Sequence, residues 1–218
     1  MLTKEQKRAL EAVFSSELSA IAVWGGGTAL SEKYLHHRES EDIDIILSDL
    51  PDTLVITALA NVVKKSVGAK TVESFVRMNR FQYFFKVPNG AQLKVEFVYY
   101  PFPKLDKPKK QGKILIESLA DICASKTLAA YQRNEPKDAF DLYIVLNKKL
   151  FTLKELVKGV EDKFGEQIDP AALLARLTKS ARQFDVLKPL IFEKKITQDK
   201  LINLFQKEFS KILKSKNL

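Results

Sequence analysis

The sequence predicts an α/β (α+β) fold, in which a mixed sheet with flanking helices is followed by a helical C-terminal half. Three segments between residues 72 and 99 are rich in β-branched and aromatic residues, which favour strands. The last two are joined by Asn89-Gly90, a dipeptide typical of hairpin turns. Further along the chain the apolar residues recur at helical spacing. The sequence therefore predicts an α/β core over 1–113 and a mainly helical domain over 114–218.

Helices and strands are expected to alternate in the first half of the chain. Thr3 and Asp52 are in position to accept hydrogen bonds from the first turns of two of the helices. The order of the elements gives a sheet with helices beside it. The predicted elements are helices over 4–18, 28–36 and 53–67 and strands over 20–24, 42–47, 72–77, 81–87 and 91–99.

The second half is predicted to be helical after an irregular connection. The segment 101–112 contains three prolines, a glycine and several lysines, so we expect an exposed linker or loop there. Asp169 followed by Pro170 indicates the start of a helix, because proline suits the first helical position. The predicted helices run over 118–133, 136–146, 152–164, 170–183 and 197–213.

Charge and composition narrow the class of protein. Lysine and arginine number 36 against 27 aspartates and glutamates, a net charge of +9. This excess favours a partner or substrate that bears phosphates, and an ordinary lysine-rich surface is the alternative. The single cysteine, Cys123, excludes an internal disulfide and a thiolate-built zinc site. The two histidines, His36 and His37, are expected at an exposed helix end.

The distribution of apolar residues indicates the cellular compartment in which the protein is expected. No apolar run approaches the ~20 residues that span a bilayer. The first residues of the sequence lack the pattern of a signal peptide. We therefore expect a cytoplasmic protein without a membrane partner.

A glycine-rich turn over 24–28 precedes an Asp-x-Asp pair, Asp42 and Asp44. Aspartates at i and i+2 of a strand point to the same face, while Ile43 and Ile45 point to the other. Two adjacent carboxylates repel each other and resist ionising together. A hard divalent cation removes that repulsion, because Mg²⁺ accepts one or two carboxylates and keeps positions for water and phosphate oxygens. Asp42 and Asp44 are therefore predicted metal ligands.

The glycine-rich turn supplies the other half of such a site. Glycines let the backbone approach a phosphate closely, and Thr28 opens a predicted helix whose free N–H groups favour an anion. Gly26, Gly27 and Thr28 are therefore predicted to bind the phosphates of a nucleotide. A phosphate site beside a metal site is the minimal layout for nucleotide transfer. The alternative is an exposed edge strand with two solvated aspartates.

Glu96 is the candidate for a third acidic ligand. It lies in a strand-like run in which Lys94 and Glu96 share one face. If this strand pairs beside the Asp42 strand, Glu96 reaches the same metal site. Two ions there would activate the attacking oxygen and stabilise the leaving pyrophosphate. The alternative is a half-exposed strand with a Lys94–Glu96 surface pair.

Arg38 and Ser40 precede the aspartate pair and are candidate nucleotide-binding residues. An arginine can hold a phosphate through a forked contact. The alternative for Arg38 is a salt bridge to Glu41 or Asp42.

Charged residues on two predicted helices of the second half complete the candidates. Lys126 lies at the edge of an apolar stripe, where its ammonium can extend to solvent or reach a triphosphate as a point charge. Asp138 and Asp141 share a face of the next helix. The helix dipole accounts for Asp138 in the first turn, whereas Asp141 is expected to pair with Lys126 or Arg133. A buried salt bridge without a part in catalysis is the alternative.

These motifs resemble the AbiEii/AbiGii-type toxin nucleotidyltransferases, a family of the DNA-polymerase-β-like nucleotidyltransferase superfamily. They are Gly-Gly-Thr-Ala-Leu, Arg-x-Ser-x-Asp-Ile-Asp, Lys-Val-Glu-Phe and, in the predicted helices over 118–133 and 136–146, Lys126 with Arg133 and Lys-Asp-x-x-Asp-Leu. The resemblance covers about residues 20–147. It implies catalytic roles for Asp42, Asp44, Glu96, Lys126 and Asp141, metal binding by the first three, and a contact of Lys126 with the nucleotide.

The resemblance also implies a reaction and its partners. A Mg²⁺- or Mn²⁺-dependent enzyme would move a nucleoside monophosphate from an NTP to an acceptor hydroxyl, as the toxin of a toxin–antitoxin system with a cognate antitoxin. The basic charge favours RNA as the acceptor, and a small molecule or a protein is the alternative. A non-catalytic nucleotide- or partner-binding protein on the same fold is the alternative function.

The residues predicted to contact acceptor phosphates are Lys104, Lys107, Lys109, Lys110 and Lys113.

Overall fold

The computed structural model describes residues 2–216, and within this range the chain forms seven strands and eight α-helices. Its internal contacts divide the chain into two units. The strands all lie in the first unit, and five of the helices lie in the second. The first unit contains the chain through Tyr34, Ser40–Phe102 and Lys107–Ser118, and the second contains Leu35–Glu39, Pro103–Asp106 and the chain from Leu119.

One seven-stranded mixed sheet lies in the first unit. Its strands are β1 (Ala22–Gly25), β2 (Ile43–Leu47), β3 (Thr71–Arg77), β4 (Arg80–Lys86), β5 (Gln92–Tyr99), β6 (Lys109–Gln111) and β7 (Ile114–Ile116). They lie in the order β3-β4-β5-β2-β1-β7-β6. The β2–β5 and β1–β7 pairs are parallel and the other neighbours are antiparallel. The predicted mixed sheet is confirmed, and the predicted Asn-Gly turn joins β4 to β5.

Helices α1 (Lys4–Phe14), α2 (Gly26–Leu30) and α3 (Thr53–Val67) belong to the same unit. Thr3 forms a capping box at the start of α1, and the Asp52 side chain accepts a hydrogen bond from the Leu54 N–H over 2.7 Å at the start of α3. Both helices contact each other and strands of the sheet. The predicted caps and flanking helices are therefore present.

The two faces of the sheet differ in polarity. On β2, Ile43 and Ile45 are fully buried. The parallel register sets them beside Val95 and Phe97 of β5, which are also fully buried. Because side chains alternate between faces along a strand, Asp44 on β2 and Glu96 on β5 point to the opposite face. Apolar burial on one face thus fixes which residues line the other.

Three predicted boundaries differ from the structure. The predicted helix over 28–36 is the short α2 followed by a π-helical turn, Ser31–Leu35. The predicted irregular segment contains β6, which pairs with β7. β7 in turn pairs with β1, so the chain up to Ser118 belongs to the first unit, beyond the predicted boundary at 113. A three-residue strand is too short for its apolar pattern to be told from the start of a helix.

The second unit is helical, as predicted. Thr152 and Asp169 cap two of its helices. Two further helices are linked by an ion pair, in which the buried ammonium of Lys163 lies 2.6 Å from the buried carboxylate of Asp121. No helix within residues 2–216 is long and apolar enough to cross a membrane. The helices are α4 (Leu119–Gln132), α5 (Pro136–Asn147), α6 (Leu153–Phe164), α7 (Pro170–Ala181) and α8 (Gln198–Lys216).

Candidate active site

Two of the three predicted acids, Asp44 and Glu96, lie side by side on the polar face of the sheet, where β2 runs beside β5. The parallel register places Asp44 next to Glu96, and neighbouring strands lie about 4.8 Å apart. Asp42 lies two residues before Asp44 and therefore on the same face, opposite to the buried Ile43 and Ile45. The shared face predicted from strand parity is present, and a common metal site for the three acids stays a prediction.

Two cationic side chains pair with carboxylates on this face. The Lys94 ammonium lies 2.9 Å from Glu96 Oε2 and 3.5 Å from Asp42 Oδ2. Arg80 donates a hydrogen bond to Glu96 Oε1 over 2.6 Å. Burial would raise the pKa of the Glu96 carboxyl, but the hydrogen bonds from Lys94 and Arg80 hold that pKa below its usual value. The predicted alternative, a Lys94–Glu96 pair, is therefore real, although its glutamate is buried rather than half-exposed.

The carboxylate oxygens of Asp42 and Asp44 suit a hard divalent cation. The side chain of Asp42 is 50% exposed, so an ion can reach it. In the part of the chain that the structure describes, however, no three aspartate, glutamate, histidine or cysteine side chains are grouped as metal ligands. Lys94 and Arg80 hold both oxygens of Glu96. Asp42 and Asp44 thus fit the predicted ion, and Glu96 fits it only after its two cationic partners move.

The glycine-rich turn lies directly against Asp44. Gly26 has a φ of +72°, and a Cβ built on it would lie 1.9 Å from Asp44 Oδ2. A Cβ on Gly25 would lie 2.4 Å from Glu117 Oε2. Gly26 therefore excludes any side chain, both by its backbone conformation and by its contact. This close approach fits the phosphate-binding role predicted for Gly26 and Gly27, which stays a prediction.

The hydroxyl of Thr28 forms hydrogen bonds within the protein. It donates a hydrogen bond to the carbonyl oxygen of Asp42 and lies 2.8 Å from the hydroxyl of Ser40. A hydroxyl has one proton to donate, so Ser40 is the donor in the second bond. Thr28 is only 3% exposed. The two hydroxyls hold the backbone of Asp42 against α2, and the predicted phosphate contact of Thr28 would have to come from its backbone N–H.

A second charged cluster surrounds the buried carboxylate of Asp141 in the second unit. Arg38 donates to both Asp141 oxygens over 2.7 and 2.9 Å, and His37 Nε2 lies 2.6 Å from Oδ1. Lys126 Nζ lies 2.9 Å from Asp141 Oδ2 and 2.8 Å from Asp138 Oδ1. The predicted pairing of Lys126 with Asp141 is confirmed as a contact. The catalytic roles of both residues stay predictions.

Mutual attraction keeps this cluster ionised despite its burial. Burial would raise the pKa of Asp141, but Lys126 and Arg38 hold that pKa well below its usual range. Burial would lower the pKa of Lys126, but Asp141 and Asp138 raise it instead. Asp138 also accepts a hydrogen bond from Arg133 over 2.8 Å. Each buried carboxylate therefore has at least two cationic partners.

The structure corrects two predictions for the segment before the aspartate pair. Arg38 was expected to contact a phosphate, or else to bridge to Glu41 or Asp42; its buried guanidinium instead forms a bidentate pair with Asp141. His37 was expected at an exposed helix end and is buried beside the same carboxylate. Both errors arise because the partner lies 103 and 104 residues further along the chain. Sequence spacing carries no signal for such a contact.

The buried imidazole of His37 predicts a pH-dependent stability. Burial lowers the pKa of His37 and outweighs the opposing hydrogen bond and charge of Asp141. Unfolding returns this pKa to about 6.5, so the unfolded chain binds the proton more readily in the window below that value. The free energy of unfolding should therefore fall as the pH drops below about 6.5, by up to about 1.4 kcal/mol per pH unit. Urea unfolding between pH 5 and 8 measures the slope.

A histidine control separates this effect from general titration. In His37→Gln the slope between pH 5 and 6.5 should shrink, whereas His36→Gln, at an exposed position, should retain the full slope. A His37→Gln protein with the slope of the unmodified protein would contradict the assignment.

Comparison with known proteins adds a family to these observations. The family described as "Nucleotidyl transferase AbiEii toxin, Type IV TA system" matches residues 8–216. The chain belongs to the AbiEii family. The resemblance inferred from the motifs is thereby confirmed, and the protein is a nucleotidyltransferase of the toxin type. The match extends through the C-terminal helices, which the motifs alone did not cover.

Individual proteins resemble this AbiEii-family protein in sequence or in fold. The Aquifex aeolicus protein aq_aa25, described as uncharacterized, is 30% identical over 170 residues, which are 75% of this chain and 76% of that one. The crystal structure of JHP933 from Helicobacter pylori has a TM-score of 0.63 at 20% identity, covering 98% of this chain and 93% of that one. MenT4, a nucleotidyltransferase toxin from Mycobacterium tuberculosis, has a TM-score of 0.54 at 12% identity, covering 94% and 80%. At such identities the two structures establish the shared fold.

Proposed function

We propose that this AbiEii-family protein transfers a nucleoside monophosphate from an NTP to a hydroxyl of RNA, with Mg²⁺ or Mn²⁺ as its cofactor. The proposal is carried by one observation: the β2–β5 register sets Asp44 beside Glu96, at the turn where Gly26 touches Asp44. The net charge of +9 supports an acceptor that bears phosphates. A hydroxyl of a small molecule or of a protein is the competing acceptor.

The polar face of the sheet would bind both the nucleotide and the metal. The backbone at Gly26 and Gly27 admits the triphosphate close to Asp44. Asp42 and Asp44 hold the cation, which when bound offsets the phosphate charge and makes the acceptor oxygen a better nucleophile. Thr28 keeps Asp42 in place through its hydrogen bond to the Asp42 carbonyl. Metal and nucleotide therefore bind at adjoining positions.

Glu96 and its cationic partners take part in the transfer itself. Once released from Lys94, the Glu96 carboxylate accepts the proton of the acceptor hydroxyl. The acceptor oxygen attacks the α-phosphorus in line, and the bond to pyrophosphate breaks as the new O–P bond forms. Lys94 and Arg80, freed from Glu96, offset charge on the phosphates. A contact of Lys126 with the triphosphate stays a prediction.

A labelling experiment tests the reaction. The protein is incubated with each α-³²P-labelled NTP, Mg²⁺ and total RNA, and the products are separated on a denaturing gel. We expect nuclease-sensitive label that is lost when the RNA 3′ ends are first oxidised with periodate. Label in a protein or a small molecule would reassign the acceptor. Absence of pyrophosphate release with every acceptor would contradict the proposed reaction.

Family membership also bears on regulation. The AbiEii description places the family in type IV toxin–antitoxin systems, and we propose that a cognate antitoxin counteracts this enzyme. Expression of the protein alone should then arrest growth, and co-expression of the product of an adjacent gene should restore it. An Asp44→Asn protein should not arrest growth, which ties the effect to nucleotide transfer.

The exposed lysines around β6 are predicted to bind acceptor phosphates. Lys107, Lys109, Lys110 and Lys113 are exposed, and exposed lysines contact phosphates as point charges. Replacing all four with serine should weaken RNA binding and flatten its salt dependence by roughly one unit of log–log slope per lost phosphate contact. Fluorescence anisotropy at several salt concentrations measures both quantities. An unchanged slope would place the basic contact surface elsewhere.

A further inference from the structure

Two aromatic side chains extend the carboxylate face toward the free edge of the sheet. Glu96 lies beside Asp44 of β2 and opposite Gln82 of β4. Gln82 in turn lies opposite Phe75 of β3, the edge strand. Residues that face each other across neighbouring strands share a face of the sheet. Phe75 is therefore on the same face as Asp44, three strands away, which is about 14 Å at the usual strand spacing.

Phe84 belongs to the same surface. It lies two residues after Gln82 on β4, and opposite Lys94 of β5. The rings of Phe75 and Phe84 contact each other edge to face, with centroids 5.7 Å apart. The side chain of Phe75 is nevertheless 59% exposed. The exposed ring of Phe75 is therefore open to a ligand on the face that carries the candidate active site.

Positive charge accompanies the aromatic pair. Arg77 of β3 lies opposite Arg80 of β4, and both are exposed. Since Gln82 and Arg80 are two residues apart on β4, both arginines lie on the same face as Phe75. Aromatic rings beside arginines form the combination that binds single-stranded nucleic acid, because bases stack on the rings and phosphates pair with the cations.

We propose that Phe75 and Phe84 form a stacking platform for the unpaired bases of an RNA acceptor strand, with Arg77 contacting its phosphates. This inference rests on the proposed function above. A strand held at the edge of the sheet lies on the same face as Asp44, so its end has three strand spacings to span to reach that carboxylate. Stacking requires bases that are not already stacked in a helix, so the platform selects single-stranded ends rather than duplexes.

Binding measurements test the platform without catalysis. A fluorescein-labelled, single-stranded oligoribonucleotide is titrated with protein in the absence of NTP, and anisotropy gives the affinity. Phe75→Ala should weaken binding about tenfold or more, while the salt slope stays unchanged because no phosphate contact is lost. Phe75→Trp should restore the affinity. Val76→Ala, an exposed position on the other face of the same strand, should bind like the unmodified protein.

Several results would overturn the platform. Equal affinity of Phe75→Ala and the unmodified protein would do so, as would equally tight binding of a blunt duplex of the same sequence. A change in the oligomeric mass of Phe75→Ala without a change in RNA affinity would assign the surface to self-association. None of these results would abolish nucleotide labelling by the unmodified protein, so failure of the platform is distinct from failure of the proposed reaction.

Discussion

Replacing Asp44 with asparagine should lower the rate of nucleotide transfer by about 10³-fold or more, which in practice abolishes it, and should leave the fold intact. Asparagine keeps the size of the side chain but removes the negative charge that would hold the metal ion, which supplies several kcal/mol of transition-state stabilisation. Pyrophosphate release and labelled-NTP transfer measure the loss. Circular dichroism and thermal unfolding report on the fold.

A matched substitution and the stability without metal complete this test. Asp49→Asn makes the same chemical change in the exposed loop after β2 and should retain activity. In Asp44→Asn the repulsion toward Asp42 and Glu96 is smaller, so the metal-free protein should be no less stable than the unmodified one. Transfer at the normal rate by Asp44→Asn would show that Asp44 is not a metal ligand.

Replacing Asp141 with alanine should destabilise the protein by about 3–5 kcal/mol, because a buried charge pair loses one partner. Arg38 would lose both of its bonds to the carboxylate, and His37 and Lys126 would each lose one. Chemical denaturation measures the free energy of unfolding. A loss below about 1 kcal/mol would mean that the cluster contributes no more than a surface ion pair does.

Replacing Lys126 with alanine should lower the free energy of unfolding less than Asp141→Ala does. It also tests whether Lys126 takes part in catalysis. Without Lys126, Asp141 retains Arg38 and Asp138 retains Arg133, so neither buried carboxylate is left without a cation. If Lys126 contacts the triphosphate, its loss lowers turnover and NTP affinity in a protein that still folds. Lys137→Ala, at an exposed position of α5, is the control. Normal turnover by folded Lys126→Ala would exclude the catalytic role.

The acidic face of the site could be predicted because it depends on local rules. The alternation of side chains along a strand placed Asp42 and Asp44 together, and the buried isoleucines between them fixed the direction in which they point. Glu96 followed from the same parity once its strand was assumed to lie beside β2. The glycine-rich turn could also be predicted, because a side chain at Gly26 would collide with Asp44.

The counter-ions of the site could not be predicted in the same way. Arg80 reaches Glu96 across the β4–β5 pair, and its choice of partner depends on the conformation of a long side chain. Asp141 meets Arg38 across 103 residues of sequence, so only the tertiary fold brings them together. Local pattern therefore determined which acids share a face, whereas long-range packing determined which cations pair with buried carboxylates.

The ammonium of Lys94, bound to Asp42 and Glu96 in the structure, has a consequence for how the enzyme responds to its surroundings. A metal ion that binds Asp42 must compete with a cation tethered to the same strand as Glu96, at an effective concentration set by the fold rather than by the cell. If the proposed ion binds there, its apparent affinity should be lower than the carboxylates alone would give. If magnesium is the cofactor, nucleotide transfer should then respond to its free concentration, and loss of the ion should return Lys94 to its contacts with Asp42 and Glu96.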